Sequence, residues 1–248
     1  MSIFARFRAV DDKDKAALVR KLMQSSTPDF DFFYFVALSV LMATLGLLAD
    51  NTSIVIGSML IAPLLYPILG LSLGLVMSNP SVFSRSVFTI TKSFLIAIGV
   101  AVVVTLLFSN GDPQASNEIM IRTDYDLLHF LVAVVAGAAV AYALGQPEWS
   151  ETLPGIAISV ALIPPLAVVG VGVASLDMEI IAGSVVLLLI NFVGIMFSAM
   201  VTFSLMNLYD KQNIAESTIK KETERVEGEQ KAIEQLDNSF KNGQNKHI

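Results

Sequence analysis

Residues 50–74 read DNTSIVIGSMLIAPLLYPILGLSLG. The stretch is long and apolar enough to cross a bilayer, yet it carries Pro63 and Pro67 near its middle. A second stretch, residues 151–172, ETLPGIAISVALIPPLAVVGVG, carries Pro164 and Pro165 in a comparable place. A helix proline has no N–H to give and displaces the carbonyl four residues earlier. The pattern therefore predicts two interrupted helices, with freed carbonyls at Met59, Pro63, Val160 and Ala161. At 1.5 Å per residue both interruptions fall ~15 Å deep, near the middle of a ~30 Å apolar layer. Non-helical backbone at that depth is tolerated only where protein or water-lined space covers it.

Working outward, the composition agrees with a membrane protein. The chain of 248 residues is 54% hydrophobic and 15% charged, with mean hydropathy +0.67; soluble domains carry roughly 25% charge. The charges collect before residue 31, in 112–126 and after 210. Between them lie apolar runs at about 32–48, 53–77, 87–108, 127–144, 153–174 and 180–206. We expect an all-α, polytopic protein of about six transmembrane helices, the second and fifth broken at prolines. The organisation expected is a cytoplasmic head (1–28), a first membrane unit (29–108), an outer loop (109–126), a second membrane unit (127–206) and a cytoplasmic helical tail (207–248). Residues 1–26 have no apolar core of the signal-peptide kind. With no cysteine, disulfides and thiolate metal sites are excluded.

Of 16 Lys and Arg residues, only Arg122 falls on the far side in a six-span arrangement. The positive-inside rule then puts both termini in the cytoplasm, in a prokaryotic plasma membrane. Near the start, Leu18, Val19, Leu22 and Met23 share one face of a helix over 15–23, which either lies on an anionic membrane surface or docks on the spans. Thr27-Pro28-Asp29 reads as a helix start, and Asn79-Pro80-Ser81 as a turn.

Shifting the chain by 102 residues superposes Leu60 on Leu162, Ile61 on Ile163, Pro63 on Pro165, Leu64 on Leu166 and Gly70 on Gly172. Each half reads as plain span, acidic link, broken span, turn, plain span. Three spans per half force the second half to enter from the opposite side. This is the inverted-repeat arrangement of secondary transporters, whose sites lie at broken helices near the midplane.

The runs GSMLIAPL (57–64) and ALIPPL (161–166), with LLLINFVGIMFSAMVTF further on, resemble the prokaryotic uncharacterised hydrophobic-domain proteins (domain of unknown function 389). The resemblance covers about residues 29–203. It implies a prokaryotic multi-span membrane protein and brings no activity, substrate or catalytic residue.

The function expected is a transporter or channel for a small ion or polar solute. Its binding residues would be Ser58, Met59, Ala62, Pro63, Ser159, Val160, Ala161, Pro164, Pro165 and Asn191. Asp50, Asn51 and Glu151 would stand at its entrances. Each of these has a structural alternative. The prolines kink helices whose freed carbonyls neighbouring hydroxyls satisfy, Asp50 and Glu151 cap helices, and Asn191 bridges two helices. A loop carrying Asp112, Glu118, Asp124 and Asp126 either gathers cations or is simply solvated. In the tail, Ile219, Val226, Ile233 and Phe240 recur every seven residues, against Glu222, Glu229 and Leu236. This thin seam suggests a homo-oligomer. The other reading of the whole is a membrane scaffold or sensor working through that tail. No zinc motif, nucleophile elbow or P-loop is present, so no enzyme activity, cofactor, metal or nucleic-acid partner is expected beyond the bilayer and the solute.

Overall fold

The computed structural model describes residues 11–25, 28–109, 113–146 and 154–244. Those residues form ten α-helices: α1 (Asp12–Ser25), α2 (Phe30–Leu48), α3 (Thr52–Met59), α4 (Leu65–Val76), α5 (Pro80–Phe108), α6 (Asn117–Met120), α7 (Leu127–Leu144), α8 (Pro154–Ser175), α9 (Met178–Leu205) and α10 (Gln212–Gln244). Two 3₁₀ turns, Pro113–Ala115 and Leu208–Lys211, complete the set. Four helices, α2, α5, α7 and α9, are each long and apolar enough to cross a membrane. Their outer faces stay apolar: Phe88, Leu95, Leu106, Leu107, Leu127, Leu131, Val135, Leu189 and Phe197 are all exposed. Water-soluble surfaces rarely leave so much apolar area uncovered.

Helix starts follow local chemistry. Asp29 caps α2 by accepting from the Phe32 N–H at 2.9 Å, and Asp126 caps α7 by accepting from His129 N–H at 3.1 Å. Asn79 accepts from the N–H groups of Ser81 and Val82, and Asp177 from those of Glu179 and Ile180. Each of these bonds satisfies donors that a helix start leaves orphaned. Two boundaries therefore differ from expectation. The α2 cap is Asp29, whereas Thr27 lies outside the described residues. Asn79-Pro80-Ser81 is the beginning of α5, with proline at the first helical position where its missing N–H costs nothing.

One tight turn is used three times. Asp50, Ser78 and Leu176 have φ of 49°, 50° and 56°, and each is followed by the capping residue of the next helix. The cap's own N–H donates back to a glycine carbonyl: Asn51 to Gly46, Asn79 to Gly74, Asp177 to Gly172. A Cβ on those glycines would sit 2.9–3.0 Å from the backbone nitrogen of Val55, Phe83 or Ile181. Only glycine lets the two helices approach this closely as they reverse.

The two halves of the bundle correspond residue by residue. The six buried positions of α7 fall, at an offset of 97, on buried positions of α2, as do the capping aspartates Asp29 and Asp126. At an offset of 98 all nine buried positions of α5 fall on buried positions of α9. Packing is exchanged in the same way. α2 packs on α5 as α7 packs on α9, while α4 packs on α9 as α8 packs on α5. Phe94 and Phe192, 98 apart, meet edge to face with ring centroids 6.4 Å apart.

The bundle has two distinct ends. At one, Asp50 holds Ser116 and Glu118, and Asp177 accepts from Gln114 at 2.7 Å. At the other, Asn79 donates to Glu216, Arg85 to Thr223, and Lys211 pairs with Asp12. Helix α1 settles the choice left open above: Leu18, Val19, Leu22 and Met23 are all buried, and α1 packs on α4 and α10. It docks on the bundle.

The turn geometry predicts a pattern of stabilities. Gly74→Ala and Gly172→Ala each drive a Cβ into backbone and lower stability by ~1–3 kcal/mol, read as a fall in thermal midpoint in detergent. Gly99, with nothing within 4 Å of its Cβ position, is replaced by Ala at no loss.

Candidate functional site

The interruption between α3 and α4 divides the second apolar segment. Helix α3 tightens at its end, with Leu60 N–H donating to Gly57 O and Ile61 N–H to Ser58 O. Residues 60–64 are non-helical and contain Pro63. Leu64 opens α4 without a side-chain cap. Ser58 is fully buried, and its Oγ donates to Val55 O at 2.6 Å. Its carbonyl accepts from Ser39 Oγ of α2 at 2.7 Å. Met59 and Ala62 are buried, Pro63 half-buried. Both α3 and α4 pack against α8.

The fifth apolar segment corrects the sequence reading. Helix α8 runs unbroken from Pro154 to Ser175, with Pro164 and Pro165 buried inside it. Proline's φ near −65° fits a helix. Two lost donors do not end a helix that α2, α3, α4, α5, α7 and α9 all pack against. Ser159, Val160 and Ala161 lie on this helix; their side chains are outside the described residues, as is all of Glu151.

The pairing of prolines also changes. Pro67 precedes Gly74 by seven residues of continuous helix, and Pro165 precedes Gly172 by seven. The turns therefore match Pro67, not Pro63, with Pro165, at an offset of 98 in place of 102. The interruption at Pro63 is an added feature of the first half.

Asn191 is buried near the centre of α9, and its equivalent on α5 is the buried Ser93. Beside them stand Phe94 and Phe192. Ser72 of α4 donates to Ile68 O and, at 3.3 Å, to Met196 O of α9. Gly170 of α8 lies against Ile98 O of α5 in the equivalent contact. Ser72, Ser93, Phe94 and Phe192 were missed in sequence because only the offset of 98 singles them out. Ser93 donates to Thr89 O, one turn back, as buried helix hydroxyls commonly do.

Asp50 and Asn51 do different work from that expected. Asn51 is the cap of α3, its side chain accepting from Ile54 N–H. Asp50 reaches the loop instead: its Oδ1 accepts from Glu118 N–H at 2.8 Å and from Ser116 Oγ at 3.1 Å. Those bonds, led by the Glu118 N–H, hold its carboxyl below the usual aspartate range. Ser116 also donates to Leu47 O. Glu118 is only 7% exposed. It accepts from Thr52 Oγ1 at 2.5 Å and pairs with Arg122 at 2.7 Å, while Arg122 also donates to the Glu118 carbonyl. The loop is thus docked on the mouth of α3, and Glu118 is not a solvated acid. Asp124 lies on this loop too, and Asp112 is outside the described residues. Among the described residues no group of three or more acids or histidines is arranged to hold a metal ion.

The family model for the domain of unknown function 389 matches residues 59–197, more than half of the chain. The chain belongs to the DUF389 family. The matched DUF389 region runs from the last residue of α3 through most of α9, and so contains the interruption, α8 and Asn191. An uncharacterised protein of Methanocaldococcus jannaschii is 31% identical over 169 residues, 67% of this chain and 51% of that protein. The chain thus spans about half the length of this curated relative. No solved structure matches.

The Asp50 anchor gives a local prediction. A lowered folded-state pKa means that the anchor contributes fully above the usual aspartate range and is lost only as pH falls through its lowered value. At neutral pH, Asp50→Ala should speed hydrogen exchange at the Glu118 amide by roughly tenfold or more, and Asp50→Asn, which keeps an oxygen acceptor, by less. Unchanged exchange in both would contradict the anchor.

Proposed function

We propose that this DUF389 protein is a transporter or channel for a small ion or polar solute, built as six membrane-crossing segments in two inverted three-segment units. Both termini lie in the cytoplasm of a prokaryotic plasma membrane. The observation that carries the reading is the non-helical stretch 60–64, which interrupts an otherwise helical apolar segment, buries Ala62 and Leu64, and lies between α3 and α4, both of which pack on proline-bearing α8. Backbone of this kind is costly in an apolar layer unless it borders a cavity or binds a passing solute. The matched burial at offsets of 97 and 98, and the exchange of α4 and α8 between halves, support two related units. An odd number of crossings per unit makes them inverted.

On this reading the carbonyls at the end of α3, with Ser58, Ala62, Ser72 and Asn191, form the solute site, and the buried prolines of α8 lie opposite. None of these site residues carries a formal charge, so the site suits a monovalent ion or a small neutral solute. The loop held by Asp50 stands over the entrance at Asn51 and Thr52.

A second reading, a scaffold or sensor, is favoured by α10. This helix runs for 33 residues, and only its first turns pack on α1 and α5. Ile233 is exposed, so the far part of α10 offers an apolar edge to a second copy.

Flux in liposomes, over a panel of monovalent cations, protons, anions and small polar solutes, separates the two. Pro63→Ala, which lets α3 run into α4, should slow flux ~10-fold, about 1.4 kcal/mol on the barrier. Truncation after residue 225 should leave flux intact. Absence of flux for every solute in folded protein would overturn transport and favour the scaffold.

A further inference from the structure

Away from the interruption, at the tail-bearing end, the first turns of α5 and the flank of α10 enclose an open cavity of about 600 Å³. It is lined by Pro80, Ser81, Ser84, Arg85, Phe88 and Ile219. Neither α5 nor α10 needs such a cavity to pack, and its lining is chemically divided. Two hydroxyls and a guanidinium stand toward the end of the bundle, and Phe88 stands on the outward, apolar face of α5, followed by exposed Leu95.

Arg85 is the informative residue. Its Nη1 donates to Thr223 Oγ1 of α10 at 2.6 Å, whereas its Nε is buried and bonds to no atom among the described residues. A buried guanidinium N–H left without an acceptor is costly, and planar paired donors favour phosphate oxygens. The acids nearby are only partly available: Glu222 acts on Arg85 electrostatically but its carboxylate takes Arg225 Nε at 2.9 Å, and Glu216 takes Asn79 Nδ2 at 2.8 Å. Arg225 also bonds Glu229. One turn and more along α5, Lys92 lies 4.3 Å over the Phe33 ring, adding a second cation on the bundle surface.

We propose that this cavity is a phosphate-anion site, with Arg85 and the hydroxyls of Ser81 and Ser84 holding the phosphate and Phe88 lining its apolar side. Because Arg85 and Ile219 join α5 to α10, an occupied site fastens the tail helix to the bundle. The phosphate comes either from the headgroup of an anionic phospholipid, whose chains run down the outer face of α5, or from a free phosphate ester.

The test uses the whole protein. Native mass spectrometry after release from mixed phosphatidylcholine and phosphatidylglycerol bilayers should show preferential retention of phosphatidylglycerol. Arg85→Gln should reduce that preference about tenfold or more. Ser84→Asp sets a negative charge at the exposed mouth without touching the Arg85–Thr223 bond, and should reduce it similarly in a protein whose tail is still docked. Hydrogen exchange around Thr223 should be slower in phosphatidylglycerol than in phosphatidylcholine alone. If glycerol phosphate or inorganic phosphate in phosphatidylcholine gives the same protection, and phosphatidylglycerol does not, the source is the free anion. Equal retention of both lipids with no protection by either phosphate source would overturn the site. So would a preference unmoved by both substitutions.

Discussion

Every backbone N–H and C=O in an apolar surround has to be bonded inside the protein, and this structure is arranged around that constraint. Long helices satisfy it along their length. At the reversals, the left-handed residues Asp50, Ser78 and Leu176 aim the next cap's N–H back at the carbonyls of Gly46, Gly74 and Gly172. Asn51, Asn79 and Asp177 then satisfy the following helix start. The three turns pair each cap N–H with a glycine carbonyl and bring successive helices into contact over glycine. Against that background the irregular stretch 60–64 stands out. Its neighbouring carbonyl at Ser58 is covered by a hydroxyl from α2.

The second organising feature is exchange. Ser72 rests on the Met196 carbonyl, and Gly170 on the Ile98 carbonyl, in positions that differ by 98 in both members. Phe94 and Phe192 touch one another. Phe94 thus meets the residue 98 positions further on, while α4 packs on α9 as well as on α5, and α8 on α5 as well as on α9. The interruption at Pro63, present in the first half only, makes the arrangement unequal where a solute would be handled.

Much of this was legible in the residues. Apolar runs located α2, α7, α8 and α9 within a few positions, whereas α5 begins seven residues before its run. Caps were harder to place: Asp50 was offered as one, whereas the side chains that cap are Asp29, Asn51, Asn79, Asp126 and Asp177. The doubling of the chain was visible too, but at an offset one helical turn too large. Matching proline with proline ignored that a left-handed Leu176 or Ser78 carries no sequence signature. Proline propensity also misled at α8, where packing from six neighbouring helices outweighs two missing hydrogen bonds. Asp50 was read as an entrance carboxylate or a helix cap, and Glu118 as part of a loop that gathers cations or is solvated. Their partnership spans 68 positions, and only the folded chain brings it about.

The central claim is that two similar units face opposite ways in one membrane, and the twin turns test it most directly. Ser78 and Leu176 occupy equivalent places, both exposed, in a chain without native cysteine. Single cysteines, Ser78→Cys and Leu176→Cys, should react with a membrane-impermeant maleimide from opposite sides of sealed vesicles, position 78 from the cytoplasmic face and position 176 from the outer face. Labelling of both from the same side would contradict the account.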